Sequence, residues 1–477
     1  MTQCDRTKAD NSSLQADAAA SSGTAPRTID VVAFIDAQKF SIYQSAILLL
    51  CFLVLAADGF DAAAIGYIAP ALVAKWGVSR GALGPVMSAA LIGLGVGALV
   101  AGPIADRIGR KTVLIMSVAC FGLWSLVAAQ AHSVGTLTAL RLLTGLGLGA
   151  AMPNAMTLMS EYAPARIRAF VVNVMNCGFS FGLVMGGVGS AWLIPKFGWQ
   201  SVLVAGGIGP LVLSVLLVAL LPESVQFLVA RSNVPARIAR ILGRIVPGAR
   251  LDGCHFVATH ADAQPSRDES PFAVLLSRRY RLGTLMLWVG YFMTLLIYYF
   301  LTNWLPTLMK DAGLSIRNAA LMTSLFPLGG MVGNICVGWV MDRFDGARVI
   351  ALTYGLTAVL LLVTGRAMGY PGALGALLFL CGVLLIGAGT SMSALAVTFY
   401  PMHGRATGVS WMHGMGRPGG VAGAWVGAAL IGMGWNLGAV FSLLAVPALA
   451  AAFAVYATAP RKRHRAFLAH EQPDQVQ

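Results

Sequence analysis

Long apolar stretches alternate with short polar connections along this chain, and the alternation repeats twelve times. Each stretch is about 20 residues or longer, the length an α-helix needs to cross a bilayer core. They fall at roughly 43 to 68, 83 to 105, 112 to 131, 137 to 160, 170 to 194, 200 to 221, 282 to 305, 319 to 341, 348 to 367, 371 to 399, 406 to 431 and 436 to 458. The connection after the sixth stretch is much longer than the rest. The pattern predicts an all-α membrane protein of twelve transmembrane helices in two six-helix halves. The expected organisation is a tail over 1–42, halves over 43–221 and 282–458, a central loop over 222–281 and a second tail over 459–477.

Two segments outside the stretches carry patterns of their own. In the central loop, Val234, Ile238, Ile241, Leu242 and Ile245 share one helical face, while Arg237, Arg240 and Arg244 occupy another. This reads as an interfacial helix on the anionic cytoplasmic leaflet, or alternatively as a solvated linker. The first 40 or so residues are rich in Ala, Ser, Thr and Asp and lack an early apolar core. They read as a disordered cytoplasmic tail rather than a cleavable signal peptide.

Composition agrees with a membrane protein, since 57% of residues are hydrophobic and 11% charged, against about 25% charged in soluble domains. The net charge of +14 raises nucleic acid as a partner, and the placement of the basic residues decides against it. With the amino terminus in the cytoplasm, most of the 33 Lys and Arg residues fall in the tails, the central loop and the even-numbered connections. That is the positive-inside bias of a protein whose surroundings are a lipid bilayer. The run Arg461 Lys462 Arg463 His464 Arg465 contains no aromatic residue and fits a topology anchor. The seven cysteines are scattered, and Cys254, His255 and His260 lack a second ligand pair. No metal or other cofactor is expected.

The two halves repeat one another. Gly102, Asp106 and Arg107 recur 236 positions later as Gly338, Asp342 and Arg343. Pro70 and Pro306 share that offset just beyond the first and seventh stretches, and Arg168 and Arg405 are 237 apart. Parallel repeats of this kind enclose a substrate site near the bilayer midplane and rock about it.

Of the nineteen acidic residues, Asp58 and Asp61 alone lie well inside a stretch. A carboxylate within the membrane is costly and is a functional candidate by default. Their spacing places both on one helical face, where mutual repulsion lets the pair hold and release a proton; a structural pairing is the alternative. Arg141 lies at a depth comparable to Asp61, so an ion pair between them is plausible. Arg417 sits near the middle of the eleventh stretch, with His413 one turn earlier. Its planar guanidinium offers a two-pronged clamp for a substrate carboxylate, with helix pairing as the alternative. The seventh stretch places Thr294 and Ile297 where the first has Asp58 and Asp61, and it carries Tyr291, Phe292, Tyr298, Tyr299, Phe300 and Trp304. An acidic half facing an aromatic half suits a proton and an aromatic ring bound side by side. Tyr298 and Tyr299 are the better candidates, because aromatics near helix ends commonly form interface belts.

The segment Gly102 Pro103 Ile104 Ala105 Asp106 Arg107 Ile108 Gly109 Arg110 Lys111 is similar to the signature between the second and third helices of the major facilitator superfamily. Leu221 Pro222 Glu223 Ser224 resembles that family's ending of the sixth helix. The resemblance implies a cytoplasmic charge contact at Asp106, with Arg107, Arg110 and Lys111, that breaks as the halves rock. Asp342 and Arg343 would serve the same gate in the second half, where Asp345 Gly346 Ala347 Arg348 departs from the pattern. Narrower motifs are Asp58 Gly59 Phe60 Asp61, the segment from Arg141 through Glu161 Tyr162, Tyr400 Pro401, Arg405 Ala406 Thr407 Gly408, and Gly416 Arg417. Together they resemble the aromatic acid:proton symporters, which import benzoate-like acids such as 4-hydroxybenzoate and protocatechuate. The resemblance implies functional roles for Asp58, Asp61, Asp106, Arg141, Glu161, Asp342, Arg405 and Arg417. Met402 and Pro418 differ from that pattern and leave the ring substituents open.

Enzyme motifs carry no weight here. Gly178 Phe179 Ser180 Phe181 Gly182 spells a hydrolase elbow but lies inside an apolar stretch with no strand before it. No Gly-rich loop ending in Lys-Ser or Lys-Thr exists to bind ATP. The expectation is secondary symport of a small aromatic carboxylate with protons through an inner membrane. A carrier for a dicarboxylate or sugar acid, and a membrane sensor of aromatic acids, remain as alternatives.

Overall fold

The structure is a computed structural model that describes residues 28–231, 234–248, 251, 253–257, 275–341, 343–367, 370–400 and 405–459. The N-terminal half comprises α2 (Ile42–Trp76), α3 (Gly84–Ile108), α4 (Arg110–Ala128), α5 (Val134–Tyr162), α6 (Arg168–Phe197) and α7 (Gln200–Leu220). A short helix α1 (Val31–Asp36) precedes them, and α8 (Val225–Arg231) and α9 (Pro235–Ile245) follow. The C-terminal half comprises α10 (Arg281–Asp311), α11 (Ile316–Met341), α12 (Gly346–Thr364), α13 (Pro371–Phe399), α14 (Arg405–Gly432) and α15 (Leu437–Ala457). Among the described residues, eleven helices are long and apolar enough to cross a membrane. The twelfth, α14, is 28 residues long and is made more polar by His413, Arg417 and repeated glycines. It packs along α10 and reaches α3 of the other half.

Local signals in the sequence set the helix ends. Ser41 and Gln44 form a reciprocal capping box that starts α2. Gly77 ends α2 with φ of 66°, a left-handed conformation open to glycine. Ser133 and Asn436 cap α5 and α15 through side-chain oxygens that accept backbone N–H bonds.

Packing repeats with the same offset as the motifs. Gly93 and Gly97 of α3 lie against the backbone of α5 at Leu142 and Leu146, and Gly329 and Gly333 of α11 lie likewise against Phe379 and Val383 of α13. Gly182 of α6 abuts the Ala56 carbonyl of α2, and Gly419 of α14 abuts the Phe292 carbonyl of α10. At each of these positions a Cβ would collide with a carbonyl oxygen. Small residues thus let the backbones approach where lipid offers no hydrophobic drive for association. Gly178 and Gly182 of the elbow-like motif are accounted for by this packing.

Three features differ from the sequence expectations. Pro70 and Pro306, expected beyond the spans, lie inside α2 and α10. Neighbouring helices re-satisfy the backbone groups that a proline frees, so the helices run past the apolar stretches. The tail expected over 1–42 is structured from residue 28: strand β1 (Thr28–Asp30) pairs in parallel with β2 (His255–Val257) of the central loop. Asp30 then caps α1, accepting from Val32 N at 2.9 Å. The amphipathic segment of the loop does form a helix, α9. However, Ile238, Ile241, Leu242 and Ile245 are buried against the N-terminal half rather than in lipid. Residues 1–27, Asp342, Met402 and 460–477 lie outside the described residues.

Candidate substrate and proton site

Helix α2 buries its two acids, Asp58 and Asp61, in different surroundings. Asp61 is fully buried and is gripped by Arg141 of α5, which is fully buried too. Arg141 Nη1 donates to Asp61 Oδ1 at 3.0 Å, and Nη2 donates to Oδ2 at 2.8 Å and to the Asp61 carbonyl oxygen at 3.1 Å. Ser125 of α4 donates a further bond to Asp61 Oδ1 at 2.9 Å. Every Asp61 oxygen is therefore engaged, which is what a buried ion pair requires to offset desolvation.

Asp58, one turn earlier, is 2% exposed, and its Oδ1 has no hydrogen-bond partner among the described residues. Its electrostatic neighbours are Asp61, Arg417 of α14, and Tyr298 and Tyr299 of α10. Asp58 therefore lacks the full set of hydrogen bonds that Asp61 has.

A small cleft, about 20 Å³ in this conformation, lies beside Arg141 between the halves. Ala62 and Ile65 of α2, Met87 and Leu91 of α3, and Tyr299 and Asn303 of α10 line it, with Arg141 at its wall. Leu94 also lines it, and the Leu94 carbonyl accepts a 2.9 Å bond from Arg417 Nη1. Arg417 thus spans from one half to the edge of the cleft. Close approach of α2 and α10 closes one side, since a Cβ on Gly66 would run into the Thr302 and Asn303 backbone.

Of the residues expected to bind substrate, Tyr299 and Arg141 line the cleft, although the Arg141 head group is taken by Asp61, and Arg417 reaches its edge through Leu94. Tyr298 packs edge-on against Tyr299 at 5.1 Å between ring centroids and leans on Phe326. His413 stands edge-on to Tyr291 at 4.8 Å and shares a 3.0 Å bond with Ser393 Oγ. Neither His413 nor these partners line the cleft.

The loop signature forms a second cluster at the face where α3 turns into α4. Gly109 makes that turn with φ of 99°, and a Cβ there would strike the Glu223 carboxylate. Asp106 Oδ1 lies 3.5 Å from Arg110 Nη2, and Arg110 Nε lies 3.1 Å from Glu161 Oε1. Ser224 donates to Glu161, while Glu223 Oε1 accepts from Lys111 N at 3.0 Å and Ser224 N at 2.9 Å. Lys111 Nζ donates to the Val218 carbonyl at 2.9 Å. All of these contacts lie within the N-terminal half, and Asp106 is 72% exposed. Arg107 is exposed beside it. Gly102 and Gly338 of the two repeats both face open space. Arg343 stacks on Trp339 at 3.8 Å. Arg405 Nε donates to the Tyr400 carbonyl at 3.2 Å, and Arg168 makes the equivalent bond to Ala163 at 3.2 Å.

At the opposite face the halves are joined. Arg80, ahead of α3, pairs with Asp311 at the end of α10 at 2.7 Å, and Gly84 presses against Ala428 of α14. The halves thus meet on that side, while the contacts named for the charge cluster on the other lie within the N-terminal half.

Sequence reasoning missed Ser125, Asn303 and the Arg80–Asp311 pair. Hydroxyls and amides inside apolar stretches are common and carry no periodic signal. Arg80 and Asp311 lie in different halves, with nothing in their spacing to relate them.

The chain matches the family model of the Major Facilitator Superfamily over residues 51–424 and 287–475. It is 50% identical to the 4-hydroxybenzoate transporter PcaK of Pseudomonas aeruginosa over 427 residues, covering 90% of this chain and 95% of that protein. It is 48% identical to a gallate transporter of Pseudomonas putida over 433 residues, with 90% and 95% covered. Among solved structures, a D-xylose-proton symporter superposes with a TM-score of 0.67 at 17% identity, covering 88% of this chain and 98% of that one. At that identity the likeness speaks to the fold alone. Profile, relatives, repeat and architecture agree that this chain belongs to the major facilitator superfamily, among its aromatic-acid permeases.

Proposed function

We propose that the protein is a proton-coupled symporter that imports aromatic carboxylic acids of the hydroxybenzoate class by alternating access. The observation that carries this reading is the division of labour on α2. Asp61 is locked to Arg141, while Asp58 is buried with an unpartnered oxygen, facing Arg417 and the tyrosines of the other half. Asp58 holds the transported proton, and Arg417 offers its guanidinium to the substrate carboxylate. Tyr299 and the apolar wall of α3 receive the ring. The names of the relatives, transporters of 4-hydroxybenzoate and gallate, support the substrate class.

Charge makes the proton necessary. Moving a monoanion inward against a negative-inside potential costs about 2.3 kcal/mol per 100 mV, and one accompanying proton cancels that charge. The cluster at Asp106, Arg110 and Glu161 serves as the cytoplasmic gate together with Arg107 and Lys111; Arg343 and Arg405 serve it from the C-terminal half, and both termini lie in the cytoplasm of an inner-membrane protein. In this arrangement the Arg80–Asp311 pair closes the outer side. The test is uptake of labelled 4-hydroxybenzoate, 3-phenylpropionate and succinate into proteoliposomes under an imposed pH gradient. The aromatic acids should accumulate and collapse on addition of a protonophore; preferential uptake of succinate would overturn the substrate class.

A further inference from the structure

Asn303 is a polar side chain in a place where a polar side chain should be satisfied. It lies on α10, is 3% exposed and lines the cleft, and its Nδ2 has no hydrogen-bond partner among the described residues. Buried amide groups are nearly always paired, so an orphan facing a cavity calls for an explanation. The backbone there cannot withdraw. Gly66 of α2 packs directly on the Thr302 and Asn303 main chain, which fixes Asn303 at the cleft wall.

Its neighbours indicate what it meets. Tyr299 is one turn earlier on the same face of α10 and lines the same cleft, and Arg417 acts electrostatically on Tyr299. The four residues from Tyr299 to Asn303 advance the helix by about 6 Å. Standard bond lengths give a closely similar span from the carboxyl carbon of a benzoate to an oxygen on its para carbon. Ala62, Ile65, Met87 and Leu91 line more of the wall and offer the ring edge no polar partner, while Arg141, which also lines it, has its two terminal nitrogens on Asp61. Thr307, one turn beyond Asn303, is 3% exposed and has a hydroxyl without a partner among the described residues. It extends the polar stripe away from the carboxylate end.

We propose that Asn303 is the specificity residue for ring hydroxylation: its side-chain amide hydrogen-bonds the para-hydroxyl of a substrate whose carboxylate lies toward Arg417. A neutral amide suits a hydroxyl because it offers both a donor and an acceptor. It does not compete with Arg417 for the carboxylate. A site built around such a bond rejects the analogue that lacks the hydroxyl, because the amide is then left buried and unpaired. This inference rests on the aromatic-acid reading above and adds the orientation of the ring.

The experiment measures affinities of benzoate, 4-hydroxybenzoate and 4-chlorobenzoate for purified wild type, Asn303→Leu and Asn303→Ala, by competition against labelled 4-hydroxybenzoate or by direct calorimetry. Wild type should favour 4-hydroxybenzoate over both analogues by about tenfold. Each variant should lose that preference while its affinity for benzoate stays within about twofold. Equal weakening of benzoate and 4-hydroxybenzoate would mean that Asn303 serves the carboxylate or the packing, and would overturn the assignment. Wild type that binds all three alike overturns it without recourse to any variant. Wild type that binds none of them overturns the aromatic-acid reading itself, and the assignment with it.

Discussion

Arg141 holds Asp61 through two parallel hydrogen bonds of 3.0 and 2.8 Å inside a site from which both side chains exclude solvent. Removing one partner of such a pair leaves an uncompensated buried charge, which costs about 3–5 kcal/mol. Asp61→Asn should therefore lower the thermal stability of the purified protein and depress both uptake and exchange. Asp61→Asn combined with Arg141→Gln should recover part of the stability, since no net charge is then stranded. A single variant as stable as wild type would show that the pair does not hold α2 and α5 together.

Arg417 differs in that its described bond goes to a backbone carbonyl, Leu94 O, across the interface between the halves. The planar fork can keep that bond and still present a second nitrogen to a carboxylate, which an ammonium cannot reproduce. Arg417→Lys should weaken substrate binding by about tenfold or more while the protein still inserts. Unchanged affinity, measured by calorimetry, would reduce Arg417 to a strut between α14 and α3.

The charge cluster should affect switching rather than binding. Asp106 is mostly exposed and touches Arg110, which in turn contacts Glu161. Asp106→Asn should cripple transport with the affinity for 4-hydroxybenzoate held close to wild type. Wild-type uptake by a well-inserted Asp106→Asn protein would remove the gate assignment.

On the opposite face, the Arg80–Asp311 pair is 44% and 32% exposed, so its net contribution is small, about 0–1 kcal/mol. Its sign should still be measurable in kinetics. Arg80→Glu places two acids together and should favour opening on that face; adding Asp311→Lys should restore wild-type uptake. Failure of the charge swap to rescue would show that the contact does not latch the halves.

Much of this was legible in the sequence, for identifiable reasons. Asp58, Asp61 and Arg141 announced themselves because a charge within an apolar stretch is conspicuous, and comparable depth suggested the Asp61–Arg141 pair. The 236-residue repeat seen in the loop motifs extends to the glycine contacts of α3 on α5 and α11 on α13, which the motifs themselves did not announce. The different surroundings of Asp58 and Asp61 were not legible, because they depend on Ser125 and Arg141 converging from other helices. Nor was the docking of α9, since an amphipathic face does not reveal whether lipid or protein will cover it. Asn303 stayed hidden for a third reason: an unsatisfied donor is a property of the fold and leaves no trace in spacing.

The central claim is that Asp58 carries the coupled proton, and Asp58→Asn tests it because the amide mimics the protonated acid permanently. In proteoliposomes, wild type and Asp58→Asn should be compared for 4-hydroxybenzoate uptake driven by a pH gradient and for counterflow of preloaded substrate without one. Gradient-driven accumulation should be lost in the variant while counterflow persists, since exchange needs no proton release. Full proton-driven accumulation by Asp58→Asn would contradict it and place the proton on another group.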